Sequence, residues 1–291
     1  MAFIVSALPG ALDFFPLKEW AAANADYEAD VPPFWHAKPV PDAFSAIGGV
    51  FWSISYILMA RKAFQDKSYA MPIACLCLNL TWEIVYGFVY GPGLVNQVVF
   101  AQWVFVDLFL AYATVKSGKY QWKHSPLIAR NLGWIILVGC VLCTWLHLSI
   151  AATFVPRVGR EVVFFTAWPM QLLISIGSIA QLLSRGHTGG HSMAICFSSF
   201  ETAADKFGWD NRWTRMLGTT ATGCCFAWRI YFWPKRFGYA WTPYGAFLLI
   251  TCHCVDLVYP VAFMYIRAYE KRNATVNGNS VYATAHGKKR N

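Results

Sequence analysis

Three carboxylates, Glu83, Asp107 and Asp256, fall inside long apolar stretches that hold almost no other charge. An acidic side chain at bilayer depth costs a few kcal/mol even on lenient insertion scales, so such residues face a cavity or a partner and mark a functional position. Removal from water disfavours the charged form of a carboxyl, and a neutral acid held in a dry site is a proton donor. Lipid-soluble compounds that such a donor activates without a cofactor are polyenes and epoxides. The cation that forms needs shelter from water and aromatic faces, each worth up to about 2 kcal/mol when desolvated.

The neighbours of these acids are polar and aromatic. Asn79, Glu83, Tyr86 and Tyr90 share one helical face, with Trp82 beside them. Asp256 shares its face with Cys252, His253, Tyr259 and Pro260, and the proline frees a backbone carbonyl close by, which is expected to bend the helix. Asp107 has plainer surroundings, with Trp103 one turn before it and apolar residues elsewhere on its face. By helical rise Glu83 lies roughly 5 Å to the lumenal side of its span centre, and Asp107 and Asp256 within about 3 Å on the cytosolic side, so all three can line one pocket. The competing reading is structural: each acid bonds to Asn, Ser, Thr, Tyr or Trp of a neighbouring helix, or pairs with Arg229.

The elements that must position these residues are membrane helices. With 57% hydrophobic and 13% charged residues in 291, the chain has the composition of an integral membrane protein, with room for seven spans and no separate soluble domain. Apolar runs bounded by charged or Gly/Pro-rich stretches predict spans at 45–61, 69–90, 95–115, 131–152, 161–183, 213–233 and 242–266. The expected fold is therefore all-α, a seven-helix transmembrane bundle over 42–268. Before it lies a segment 1–41 that rests at the membrane surface, and after it a basic tail 269–291. Basic residues crowd alternate loops, among them Arg61, Lys62 and Lys67, then Lys116, Lys119, Lys123 and Arg130, then Arg185, Lys206, Arg212 and Arg215, and finally the tail. That asymmetry puts the N-terminus in the lumen and the C-terminus in the cytosol. It also accounts for the net charge of +9 through the bilayer, without nucleic acid as a partner.

Lys288 and Lys289 stand fourth and third from the C-terminus, where a pair of lysines resembles a dilysine signal read by an ER-retrieval coat receptor. The expected location is the endoplasmic reticulum membrane, with several crossings. The nine cysteines fall almost wholly in apolar runs and read as packing residues. Neither Cys140-x-x-Cys143 nor Cys252-His253-Cys254 has a second ligand pair at metal-site spacing, no glycine-rich nucleotide loop precedes a helix, and no aspartate-rich diphosphate motif lies in the spans. No metal and no cofactor are expected.

Asn79-Leu80-x-Trp82-Glu83 together with Asp256-x-x-Tyr259-Pro260 resembles the paired acidic motifs of the fungal membrane-bound terpene cyclases of the pyripyropene and paxilline type. The segment from Ser184 through Arg185, Gly186 and His187 to Ser192 is similar to the Arg-Gly-rich cytosolic segment of that family. The resemblance covers roughly residues 42–270. It implies a seven-helix bundle and a cofactor-independent, proton-initiated cyclisation of a prenyl chain, commonly one with a terminal epoxide, on a meroterpenoid or indole-diterpene precursor. It also implies that Glu83 and Asp256 are the catalytic acids, with Asn79, Trp82, Tyr86, Tyr90, Trp103, Asp107, His253 and Tyr259 as candidates to line the substrate or its cation. A longer N-terminal segment and an extra stretch at 201–210 depart from the family pattern and bear on substrate choice. A seven-helix receptor or transporter, or a sterol-type double-bond isomerase, are the competing readings.

Overall fold

The computed structural model describes residues 39–91, 94–191 and 211–277. The expectations for the surface segment, the stretch at 201–210 and the two tail lysines lie outside the described residues. Every described element is helical: α1 (Pro39–Asp66), α2 (Ile73–Ile84, prolonged by a wide π turn over Val85–Val89), α3 (Leu94–Gly118), α4 (Pro126–Val158), α5 (Glu161–Arg185), α6 (Asn211–Phe232) and α7 (Pro243–Asn277). A single turn at Pro234–Phe237 and a 3-10 turn at Gly238–Trp241 join α6 to α7.

Each predicted span coincides with a helix, and five of the helices, α1, α3, α4, α5 and α7, are long and apolar enough to cross a membrane. α2 is apolar but shorter. α6 has the length, but Arg215, Thr219, Thr220, Thr222 and Arg229 make it too polar by composition. The polarity has a use, since Arg215 and Thr219 are buried against neighbouring helices. α4 turns Trp134, Val138, Val141 and Trp145 outward, an apolar face suited to acyl chains.

α2 is the centre of the bundle and packs against α3, α4 and α5. α1 lies along α6 and also meets α3, while α7 packs on α5 and α6. The α1–α6 crossing is close because it is made at glycines. A Cβ on Gly218 would stand 2.8 Å from Trp52, and one on Gly48 would stand 3.0 Å from the Thr222 hydroxyl. Small residues of this kind let transmembrane backbones approach one another.

The π turn follows directly on the Glu83 motif: the Tyr90 amide donates to the Val85 carbonyl at 3.0 Å, five residues back. Such turns collect at functional sites. The wider turn keeps Tyr86 and Tyr90 on one buried face, with their ring centroids 6.1 Å apart. Gly87 allows the turn to press on α3, since a Cβ there would come within 2.5 Å of Phe100. α7 runs through Pro260 without interruption. Because a proline lacks the N–H that would bond four residues back, the carbonyl of Asp256 itself is released.

Candidate active site

Two buried polar clusters carry the predicted acids, one on α1, α2 and α3, the other on α5, α6 and α7. In the first, the Asn79 side-chain amide sits at the junction. Its Nδ2 lies 2.7 Å from Asp107 Oδ2, 3.0 Å from Glu83 Oε1 and 3.1 Å from the Tyr56 hydroxyl. An amide nitrogen has two hydrogens, so two N–H groups serve three oxygens here. Glu83 Oε2 and Asp107 Oδ1 are buried without a hydrogen-bond partner among the described residues. This corrects the expectation of plain surroundings for Asp107, which is joined to the Glu83 motif through Asn79. The neighbour could not be seen from α3 alone because it comes from another helix.

In the second cluster Asp256 is surrounded by donors. Arg215 Nη2 donates to Oδ1 at 2.6 Å, the Ser175 hydroxyl donates to the same oxygen at 2.7 Å, and the Thr219 hydroxyl donates to Oδ2 at 3.1 Å. Gln171 supports the hydroxyls, with its Nε2 3.2 Å from Thr219 Oγ1 and 3.4 Å from Ser175 Oγ. Glu83, Asp107, Arg215 and Asp256 are 2%, 0%, 1% and 4% exposed, so water screens none of these charges. Arg229, the cation that the structural reading offered to any of the acids, lies 3.6 Å from Asp42 in a more exposed position. Arg215, counted with a loop in the sequence reading, is the buried cation. Its signal was the Arg215-x-x-x-Thr219-x-x-Thr222 stripe, a run of polar residues that fits a buried helix face better than a loop.

The clusters approach one another through the core. Tyr56 lies within electrostatic reach of Glu83, Asp107 and Arg215. Tyr56, Trp82, Tyr86 and Tyr90 pack in one buried cluster with Met170 and Ile174 of α5, and Ser175 follows directly. Trp82 is anchored by an Nε1 hydrogen bond to Thr166 at 2.9 Å.

An aromatic run adjoins the first cluster. Ring centroids lie 5.3 Å apart from Trp103 to Phe100, 5.5 Å from Phe100 to Trp82, 5.6 Å from Trp82 to Tyr86 and 6.1 Å from Tyr86 to Tyr90. Phe100 was absent from the sequence candidates, although its position three and seven residues before Trp103 and Asp107 marks it as a neighbour on their face. Trp103 also donates to the Gly49 carbonyl at 3.3 Å. His253 is half-buried on a different surface: its ring stacks on Trp168 at 6.2 Å and its Nδ1 is 2.6 Å from the Leu249 carbonyl. Tyr259 is closer to the acid, with the Arg215 guanidinium 6.0 Å from its ring and its hydroxyl 3.0 Å from His191 Nδ1.

The segment after α5 ties the helix ends together. Arg185 bonds the Tyr69 carbonyl at 2.7 Å, the Gly190 amide donates to Asp66 at 2.9 Å, and Thr188 donates to Glu270 at 2.7 Å. His187 Nε2 lies 3.1 Å from Gln121 Oε1, and its Nδ1 accepts from the Gly189 amide at 3.1 Å. Both bonds suit the neutral ring. Burial, with the Arg185 charge next, brings its pKa down to about 4. The opened segment therefore takes up the proton first, near the ordinary histidine value of about 6.5. The closed segment is fully stable above that value and loses stability as pH falls from there through about 4. Hydrogen exchange of amides 189–191, corrected for intrinsic rates, is expected to show weaker protection at pH 5 than at pH 7. Equal protection at both would contradict this.

Among the described residues the cysteines are free, and no group of three or more His, Cys, Asp or Glu is placed to hold a metal ion.

No solved structure matches the chain. The chain is 62% identical over 259 residues to terpene cyclase macJ of Penicillium terrestre, covering 89% of this chain and 94% of that protein. It is 35% identical to the Pyr4-family terpene cyclase mfmH of Annulohypoxylon moriforme, covering 83% and 92%, and 33% identical to terpene cyclase janB of Penicillium janthinellum, covering 80% and 89%. The family model of Pyr4-like transmembrane terpene cyclases matches residues 25–205 and 207–269. With buried acids beside an aromatic run, helices long enough for a membrane and a family match over most of its length, the chain belongs to the Pyr4-like transmembrane terpene cyclases.

Proposed function

We propose that the protein closes rings in a prenyl chain borne by a meroterpenoid or indole-diterpene precursor of secondary metabolism, by adding a proton and without a cofactor. The observation that carries this reading is the pairing of two dry carboxyl clusters with a continuous aromatic run between α2 and α3. Glu83 and Asp256 exchange protons with the substrate. The proton goes to a terminal epoxide oxygen, whose C–O bond then opens, or to a terminal olefin carbon. The π electrons of the chain close the rings, and loss of a proton from the last cation leaves an isomer of the substrate. Trp82, Phe100, Trp103, Tyr86 and Tyr90 offer ring faces to the migrating charge.

All seven helices cross the membrane in this reading, α2 and α6 under cover of their neighbours, with the N-terminus lumenal and the C-terminus cytosolic. Residence is in the endoplasmic reticulum, through recognition of Lys288 and Lys289 by a retrieval coat receptor. Replacing both lysines by Ser is expected to release the protein to later compartments with its intrinsic activity unchanged. Unaltered residence would reduce the tail to a basic patch.

The function is tested by expressing the chain in a yeast that lacks related enzymes and supplying farnesyl and geranylgeranyl conjugates, with and without a terminal epoxide. New rings at unchanged mass are the expected result. A shifted double bond without ring closure would make it an isomerase, and no conversion at all would favour a receptor or transporter.

A further inference from the structure

We propose that Arg215 is a positioning residue that holds Asp256 as a carboxylate, so that the Asn79-bridged Glu83–Asp107 pair releases the first proton and Asp256 takes up the last. This rests on the proton-initiated cyclisation set out above and assigns its direction.

The hydrogen bonds differ in kind at the two acids. Asp256 receives three donors, one of them a guanidinium at 2.6 Å with both side chains 2% exposed. A carboxylate accepts bonds of this kind, and charge-assisted ones are short and strong. On protonation of Asp256 the Ser175 and Thr219 hydroxyls could turn to the Gln171 and Arg215 carbonyls, each 3.1 Å away, but the buried Arg215 guanidinium would lose its counter-ion, which is costly. Other titratable side chains near this pair are two thiols and two phenols. Cys252 precedes Asp256 by one turn on α7, Tyr259 lies beneath the guanidinium, and Cys75 and Tyr56 face Arg215 from α2 and α1. From α5 it meets the uncharged Ser175.

Among the described residues Glu83 and Asp107 have no cation as a hydrogen-bond partner. They share one amide nitrogen, and each keeps an oxygen without a donor among the described residues. Two carboxylates in a dry site repel one another, which a single shared proton relieves. Asp107 is thereby a second holder of the proton that Glu83 delivers. The step balances: the proton leaves the Glu83–Asp107 pair for the epoxide oxygen or olefin carbon, C–C bonds form from the chain's π electrons, and the final C–H proton passes to Asp256. Return of that proton from Asp256 to the pair resets the enzyme.

The test is the infrared band of protonated carboxyls in the full-length protein in lipid, read beside activity. The Glu83→Gln/Asp107→Asn variant is expected to lose that band and Asp256→Asn to keep it. Arg215→Gln is expected to gain a second band at pH 7 that fades as pH rises, with activity down by about 100-fold at pH 7 and recovering over the same rise. Arg215→Lys should keep Asp256 ionised and stay within about 10-fold of wild type. If Asp256→Asn alone does not accumulate, Arg215→Gln/Asp256→Asn removes both charges and should also keep the band. Loss of the band in either Asp256 variant, or an Arg215→Gln loss that is the same at every pH, would overturn the assignment. The two failures separate cleanly, because wild-type cyclisation by Glu83→Gln and Asp256→Asn would sink the cyclase mechanism while the infrared result still fixed where the protons sit.

Discussion

Glu83→Gln in the full-length protein is expected to lower cyclisation by about 10²–10⁴-fold, the range that general acid–base groups contribute. The amide keeps the size of the side chain and can still meet Asn79, which lies 3.0 Å from Glu83 Oε1, but it carries no acidic proton. Folding should be nearly unaffected. Asp256→Asn is expected to cause a similar loss per folded molecule for a different reason. It also strands the Arg215 charge that now lies 2.6 Å from the carboxylate, and breaking a buried pair costs about 3–5 kcal/mol. Activity must therefore be scaled to the folded fraction, measured by size exclusion in detergent. Full activity per folded molecule in both variants would return these acids to a structural role.

Asn79→Leu carries the second largest effect. Asn79 brings two N–H hydrogens to three buried oxygens, of Tyr56, Glu83 and Asp107, so its removal takes two hydrogen bonds from the cluster. Each unsatisfied buried group costs about 1–3 kcal/mol. Leucine fills a similar volume, so lost hydrogen bonding and not a cavity is what the variant reports. Cyclisation is expected to fall by about 10²-fold, because the acid pair loses the group that sets its spacing, with a clear drop in melting temperature. Asn79→Gln should recover part of both. Asp107→Asn should be milder, since Glu83 and the Asn79 contact to it survive. A silent Asn79→Leu would mean that the amide merely fills space.

The acids were legible in the sequence because charge is scarce in this chain, and a carboxylate in an apolar run stands out at once. The helices were legible for the related reason that long apolar runs bounded by charges have few other readings. What pairs with what was not legible. Asp107 looked isolated because its partner, Asn79, comes from α2, and helix periodicity shows only neighbours on the same helix. Arg215 was counted with the basic loop before it, although it is buried one turn into α6 beside Asp256. At the π turn a Cβ on Gly87 would meet Phe100 of α3, a closeness between helices that exists only once the bundle is assembled.

The most direct measurement is the mass and ring count of the product made by the lipid-reconstituted, full-length protein from a prenylated precursor, with a chelator present and no nucleotide, flavin or reductant added. The account predicts an isomer of unchanged mass with added rings, formed at an undiminished rate under chelation and lost with Glu83→Gln. A product that is heavier by oxygen or lighter by two hydrogens, or activity that vanishes with the chelator, would contradict it.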